Sequence, residues 1–287
     1  MRVWPHAVQL GKGVGAFALL VVLALGSGVS VGSLGDPALV IPRRSALEPH
    51  RFFGDQTVAV PLLVHAREPE ALSLRAQLVQ LTSDLAVPIG AEVDVPLPRD
   101  VSPRTSLEIE LAVPLPAVKR ETDFELRVRS RRGRDEVGAA AGRIALRVYP
   151  ADLLDPVRNW ATSHPLRVED DHGLLIGLLR QQRIPVVAVT GTRGARAGRG
   201  VTLYAGPQAL RKWAHVPLRE DEAIVLFTER QTEVPRFLIE RTGGGTRVAV
   251  EMRLLDRLAT DPLAQKIFLE VFDLVHEETS STGGNVP

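Results

Sequence analysis

The sequence predicts a multidomain protein. It begins with an N-terminal membrane or signal helix, continues as an antiparallel, immunoglobulin-like β-sandwich, and closes with a doubly wound, flavodoxin-like α/β domain. Three observations carry this expectation. Residues 13–35 form a run without a single charge. Between residues 52 and 150 apolar and polar residues alternate with period two, and after Pro150 short apolar runs are separated by amphipathic stretches. The chain has 287 residues, 45% of them hydrophobic and 24% charged, which is a globular balance with room for two domains of ordinary size.

The uncharged run has Arg2 and Lys12 before it and Asp36 after it, with an apolar heart at Val14–Leu25. As a helix it would reach about 34 Å at 1.5 Å per residue, against a hydrocarbon core of about 30 Å. Basic residues on the N-terminal side orient that end toward the cytoplasm. Two readings stand for residues 1–35. One is an uncleaved anchor that meets inner-membrane lipid through residues 13–35. The other is a cleaved signal peptide, because the heart is short and Gly26, Ser27, Gly28, Ser30, Gly32 and Ser33 follow it. The expected localisation is the inner membrane with periplasmic domains, or the periplasm after cleavage. The chain has no cysteine, so it is not an acylated lipoprotein.

Residues 36–51 read as a linker or a first edge strand, kept extended by Pro37, Pro42 and Pro49. The sandwich is expected over 52–150. Leu107–Val113, Phe124–Arg129 and Ile144–Tyr149 alternate strictly, and Thr57–His65, Leu74–Leu81 and Ala91–Val95 do so less cleanly. Strict alternation means one face on a core and one in water. Twelve of the 21 prolines fall in 37–150, which suits many short strands with turns and edges. Arg131–Asp135 reads as a hairpin tip.

The α/β domain is expected over 151–278. Leu166–Glu169 reads as a short strand, and Asp170 or Asp171 as the cap of a helix through Gly173–Arg183. Ile184–Val189 is all apolar and reads as a strand buried on both faces, with Val201–Ala205, Ala223–Phe227 and Arg247–Met252 repeating the pattern. Helices are expected at Pro207–Ala214 and at Asp261–Glu277. The last has Asp261 as N-cap, Pro262 at its first position, and an apolar stripe of Leu263, Ile267, Val271, Leu274 and Val275. Residues 279–287 read as a polar tail.

The segment Arg247-Val-Ala-Val-Glu-Met-Arg-Leu-Leu-Asp-Arg-Leu-Ala-Thr-Asp-Pro-Leu-Ala-Gln265 resembles the closing strand and helix of class I glutamine amidotransferase-like domains. With the N-terminal run and the sandwich, the chain is similar to uncharacterised bacterial envelope proteins that carry such a domain. Members of that class use a cysteine on a tight strand-to-helix turn, with a histidine and a carboxylate. This chain has no cysteine, and the matching turn, Tyr204-Ala205-Gly206-Pro207, offers no nucleophile. The resemblance therefore implies a degenerate, non-catalytic relative.

Two stretches carry candidate ligand or anion contacts. Val168-Glu-Asp-Asp-His-Gly173 gathers Asp170, Asp171 and His172 at a strand end, where open α/β sheets bind ligands. Helix capping explains the same aspartates without a ligand. Thr190–Gly200 combines Arg193, Arg196 and Arg199 with Gly191, Gly194, Gly198 and Gly200. It reads as an anion- or partner-binding loop, or as a solvated one, and it matches neither a P-loop nor a dinucleotide fingerprint.

Other chemistry is excluded or unsupported by the sequence. A net charge of +1 argues against nucleic-acid binding by bulk charge. Without cysteine there is no thiolate metal site, and none of the seven histidines stands in a ligand pair such as H-x-H. We expect no metal, no cofactor and no catalytic residue. The function expected is that of a non-catalytic, membrane-tethered envelope interaction protein whose α/β domain, lacking the amidotransferase cysteine, recognises an envelope protein partner or a ligand. The alternatives are a periplasmic hydrolase acting through carboxylates at the α/β crevice, and a small-ligand sensor.

Overall fold

The computed structural model describes residues 38–42, 48–66, 73–98, 106–131, 139–189, 200–213, 215, 222–228, 236–242, 245–251 and 253–281. Eight strands come first: β1 (Ala38–Pro42), β2 (His50–Phe53), β3 (Gln56–Ala66), β4 (Ser73–Leu81), β5 (Ala86–Asp94), β6 (Ser106–Leu115), β7 (Thr122–Arg131) and β8 (Ala139–Tyr149). They form a three-stranded sheet, β1-β3-β6, and a five-stranded sheet, β2-β8-β7-β4-β5. All pairings are antiparallel except β2 on β8. One core joins the two sheets. Val58, Val60, Leu62 and Val64 of β3 and Leu111, Val113 and Leu115 of β6 meet Leu74 and Leu78 of β4, Phe124, Leu126 and Val128 of β7, and Ile144, Leu146 and Val148 of β8. These residues sit at every second position, so the pleat turns them all inward. Each contributes on the order of 1.5–3 kcal/mol by leaving water.

The outward positions of the five-stranded sheet carry ion pairs. Arg147 reaches Asp123 at 2.7 Å and Glu121 at 3.2 Å, and Arg127 reaches Glu125 at 2.5 Å. The Asp123 hydrogen bond raises the pKa of Arg147 against the opposing effect of burial.

The second region has helices α1 (Asp155–Ser163), α2 (Leu174–Gln181), α3 (Pro207–Trp213) and α4 (Pro262–Ser281), and strands β9 (Leu166–Asp170), β10 (Val187–Ala188), β11 (Gly200–Ala205), β12 (Glu222–Thr228), β13 (Arg236–Thr242) and β14 (Gly245–Glu251). The strands form one sheet in the order β10-β9-β11-β12-β14-β13. Neighbours are parallel except β13, which runs antiparallel on β14. One face packs on Val157 and Ala161 of α1, Leu175 and Leu179 of α2, and Ile267, Phe268, Val271, Phe272 and Val275 of α4. The other face meets Ala209 and Trp213 of α3. Helix α4 starts as its sequence dictates: Pro262 has no N–H and needs no acceptor, and the Leu263 N–H donates to Asp261 Oδ1 at 2.9 Å.

This overturns the fold class expected from the sequence. Strands make up 54% of the described structure and helices 22%. The doubly wound, flavodoxin-like domain is not formed as expected. Strand β12 is followed by another strand, β13, which folds back antiparallel, so the regular alternation of strand and helix is broken. The strand expected at 184–189 shrinks to Val187–Ala188 at the sheet edge, where both residues are exposed. An apolar run alone does not distinguish a central strand from an edge. Helix α1 and strand β13 were not expected, and residues 36–51 hold β1 and the start of β2. Helix α4 continues to Ser281, beyond the expected start of the tail.

The expected membrane, signal and periplasmic character is corrected as well. Among the described residues no helix is long and apolar enough to cross a membrane. The run 13–35, on which inner-membrane localisation rested, lies outside the described residues, as does most of the hairpin tip at 131–135.

The two regions touch through α4. Lys266 Nζ donates to Glu121 Oε2 at 2.7 Å, and that bond raises the pKa of Lys266 against the effect of its burial. Tyr149, 2% exposed, lies at the end of β8; burial, and next Glu121, push its pKa up. Within the second region, Trp160 of α1 meets Phe272 of α4 edge-on at 4.9 Å between ring centres.

Candidate functional site

The parallel strands end on one side of the sheet, and ligands of such sheets gather there. Strand β9 ends at Asp170 and β11 at Ala205, and these two residues are register partners. The Asp171 N–H donates to the Ala205 carbonyl at 3.2 Å. The turns Asp171–Gly173 and Gly206–Pro207 therefore lie side by side, each leading into a helix.

The first turn of a helix leaves N–H groups without partners. Here two aspartates supply them. Asp170 Oδ2 accepts the N–H of Leu175 at 2.6 Å and of Ile176 at 3.2 Å, and Oδ1 accepts that of His172 at 3.1 Å. Asp170 thus closes the start of α2. Asp171 turns the other way: its Oδ2 accepts the N–H of Gln208 at 2.6 Å and of Ala209 at 3.2 Å, closing the start of α3. The sequence pointed to one capped helix, and the structure has a separate carboxylate for each of two.

Gly206 makes the second arrangement possible. Its φ is +101°, a conformation L side chains rarely adopt, and a Cβ there would lie 2.7 Å from Asp171 Oδ2. On a sharp strand-to-helix turn this is the position where a hydrolase presents its nucleophile. The residue here has no side chain, and the space in front of it holds Asp171.

The acidic stretch does not converge. Glu169 is 5% exposed and sits one position from Asp170, so it turns to the opposite face of the sheet. His172 is exposed. Among the described residues no group of three or more His, Asp or Glu is gathered to hold a metal ion. Arg193, Arg196 and Arg199 lie outside the described residues. Asp170 and Asp171 are thus brought together with two helix starts, not with a shared ligand position.

A second constellation escaped the sequence reading. On the α3 side of the sheet, register aligns Arg167 of β9, Thr202 of β11, Ile224 of β12 and Arg247 of β14 in one row, and Glu169, Tyr204, Leu226 and Ala249 in the next. Arg167, Glu169, Thr202 and Arg247 are all buried. The Arg247 guanidinium lies 5.0 Å from the Trp213 ring centre and donates to Glu240 Oε2 at 2.8 Å. The Tyr204 hydroxyl is pushed up to about 12, first by burial and then by Glu169 and Glu222, with Arg247 acting in the opposite sense. The signal was present: Thr202, Tyr204 and Arg247 fall in strands read as apolar on both faces, and Arg167 and Glu169 alternate along the short strand at 166–169.

No family model matches the chain, and no curated protein does. Among solved structures, a Niemann-Pick type C2 protein from the Japanese carpenter ant is similar over 43% of this chain and 96% of its own, at 14% identity and a TM-score of 0.27. A likeness of that size carries no argument about this chain.

Proposed function

We propose that this protein is a non-catalytic interaction protein that recognises a protein partner. The observation that supports this best is the use made of the carboxyl ends of β9 and β11. The turn residue is glycine, and both aspartates beside it are occupied as helix caps. A carboxylate that accepts several backbone N–H bonds is committed to holding those bonds, and moving it to serve a substrate would strip two helix starts of their partners. This weighs against a hydrolase reading that draws its acid and base from Asp170 and Asp171.

The Gly- and Arg-containing stretch 190–200 remains the candidate contact for an acidic partner surface, on its sequence alone. The test is cross-linking and stoichiometric co-purification of the tagged full-length chain from its native cell. The reading expects one partner at a fixed ratio. That partner is retained by Asp170→Asn and weakened by joint charge reversal of Arg193, Arg196 and Arg199. A hydrolytic turnover of the purified chain that Asp170→Asn abolishes at unchanged unfolding temperature would overturn it.

A further inference from the structure

Sheet edges present unpaired backbone donors and acceptors, and proteins that stay apart guard them. Two long edges of this molecule are treated in opposite ways. At the end of the five-stranded sheet, β5 exposes Leu85, Val87 and Val93 nearby or along it, yet it is well blunted. It carries Pro88, a Gly90 at φ +70°, a register break opposite Ala76 and Leu78, and the charges of Glu92 and Asp94, which meet Arg75. At the end of the six-stranded sheet, among the described residues, β13 has no proline, no glycine and no register break. Its seven residues, Arg-Phe-Leu-Ile-Glu-Arg-Thr, pair with β14 without a break from Arg236↔Glu251 to Thr242↔Gly245. Leu238 is 56% exposed and Ile239 39%.

We infer that β13 pairs antiparallel with β13 of a second copy of this chain, centred on Leu238, so that one sheet runs through both copies. The sequence of the strand selects this partner and this register. Centred on Leu238, Arg236 of each copy stands opposite Glu240 of the other, Phe237 opposite Ile239, and Leu238 opposite itself. Arg236, Leu238 and Glu240 share one face, and Phe237 and Ile239 share the other. Opposite charges and apolar side chains directly across a strand pair are each favourable. Glu240 gives Oε2 to Arg247 within its own chain and has its second oxygen for Arg236 of the other copy. Centring on Ile239 instead sets Phe237 opposite Arg241 and Leu238 opposite Glu240, apolar against charged on both faces. A two-fold pairing is also self-complementary and closes after two copies. The inference stands independently of the partner proposed above.

The absence of cysteine makes the test direct. Directly opposed residues in an antiparallel pair have Cα atoms about 4.5–5.5 Å apart, within disulfide reach. The full chain carrying Leu238→Cys as its sole thiol is expected to form a covalent dimer on mild oxidation. Arg241→Cys is expected not to, because the two copies of residue 241 would stand about 20 Å apart. The wild-type chain is expected to sediment as a dimer, and Leu238→Lys, at an exposed position, to weaken that dimer at least about tenfold with its unfolding temperature unchanged. A wild-type chain that sediments as a monomer at its highest soluble concentration would overturn the inference. So would Arg241→Cys cross-linking as fast as Leu238→Cys, or a dimer indifferent to Leu238→Lys.

Discussion

The two regions of the molecule use their carboxylates differently. In the sandwich, Glu121, Asp123, Glu125 and Asp94 meet Arg or Lys side chains on outward faces of the strands. In the six-stranded region, Asp170, Asp171 and Asp261 accept backbone N–H groups at helix starts. Ion pairs at a surface exchange water for a flexible partner and return little. A cap satisfies a donor that nothing else in the helix can reach. Changes at these sandwich acids should therefore cost little, whereas changes at the helix-capping aspartates of the second region should cost more. Helix capping thus accounts for Asp170 and Asp171 at the carboxyl end of the sheet.

This contrast is open to breakage. The largest effect is expected at Gly206→Ala, which both forces an L residue to φ +101° and drives a Cβ into Asp171. Denaturant unfolding should show a loss of at least about 2 kcal/mol. Asp171→Ala, which leaves two N–H groups of α3 unmet, should lose about 1–3 kcal/mol in the same measurement.

A third prediction concerns pH and the buried row on the α3 face. The folded pKa of Tyr204 is raised to about 12 from an ordinary value of 10.0, mainly by burial. The unfolded chain then releases this proton first as pH rises. The neutral hydroxyl's contribution is fully present below about pH 10 and is lost progressively toward pH 12, by roughly 1.4 kcal/mol per unit. Unfolding midpoints of Tyr204→Phe measured across that window should fall less steeply than those of the wild type. The smallest effect is expected in the sandwich: Arg75→Ala removes exposed pairs to Glu92 and Asp94 and should change stability by less than about 1 kcal/mol. A loss there as large as that of Asp171→Ala would erase the contrast.

The same contrast decides what the sequence reveals. Where one face of a strand meets water, composition writes the period openly. Leu107–Val113 falls within β6, Phe124–Arg129 within β7 and Ile144–Tyr149 within β8. The start of α4 is equally legible, because Asp261 and Pro262 act on their nearest neighbours in the chain. Asp170 capping α2 is legible for the same reason. Asp171 is not: its partners lie 37 and 38 residues away, and only the register of β9 on β11 brings them to it. The run at 184–189 misled because hydrophobicity does not state whether a strand lies inside a sheet or at its edge. Strand β13 was missed because its apolar residues occupy both faces of an edge, so it lacks a clean period. The two rows that hold Arg167, Thr202 and Arg247 and, next to them, Glu169 and Tyr204 were hidden by burial, which makes polar residues share strands with an apolar core.

The carboxylates of Asp170 and Asp171, at the carboxyl end of β9, hold the starts of α2 and α3. Equilibrium urea unfolding of the full chain carrying Asp170→Ala and Asp171→Ala together tests this most directly. The two side chains serve different helices, and their joint loss is expected to lower stability by about 2–5 kcal/mol relative to wild type. An unfolding midpoint equal to that of the wild type would contradict the account, since it would leave both carboxylates free of a structural task.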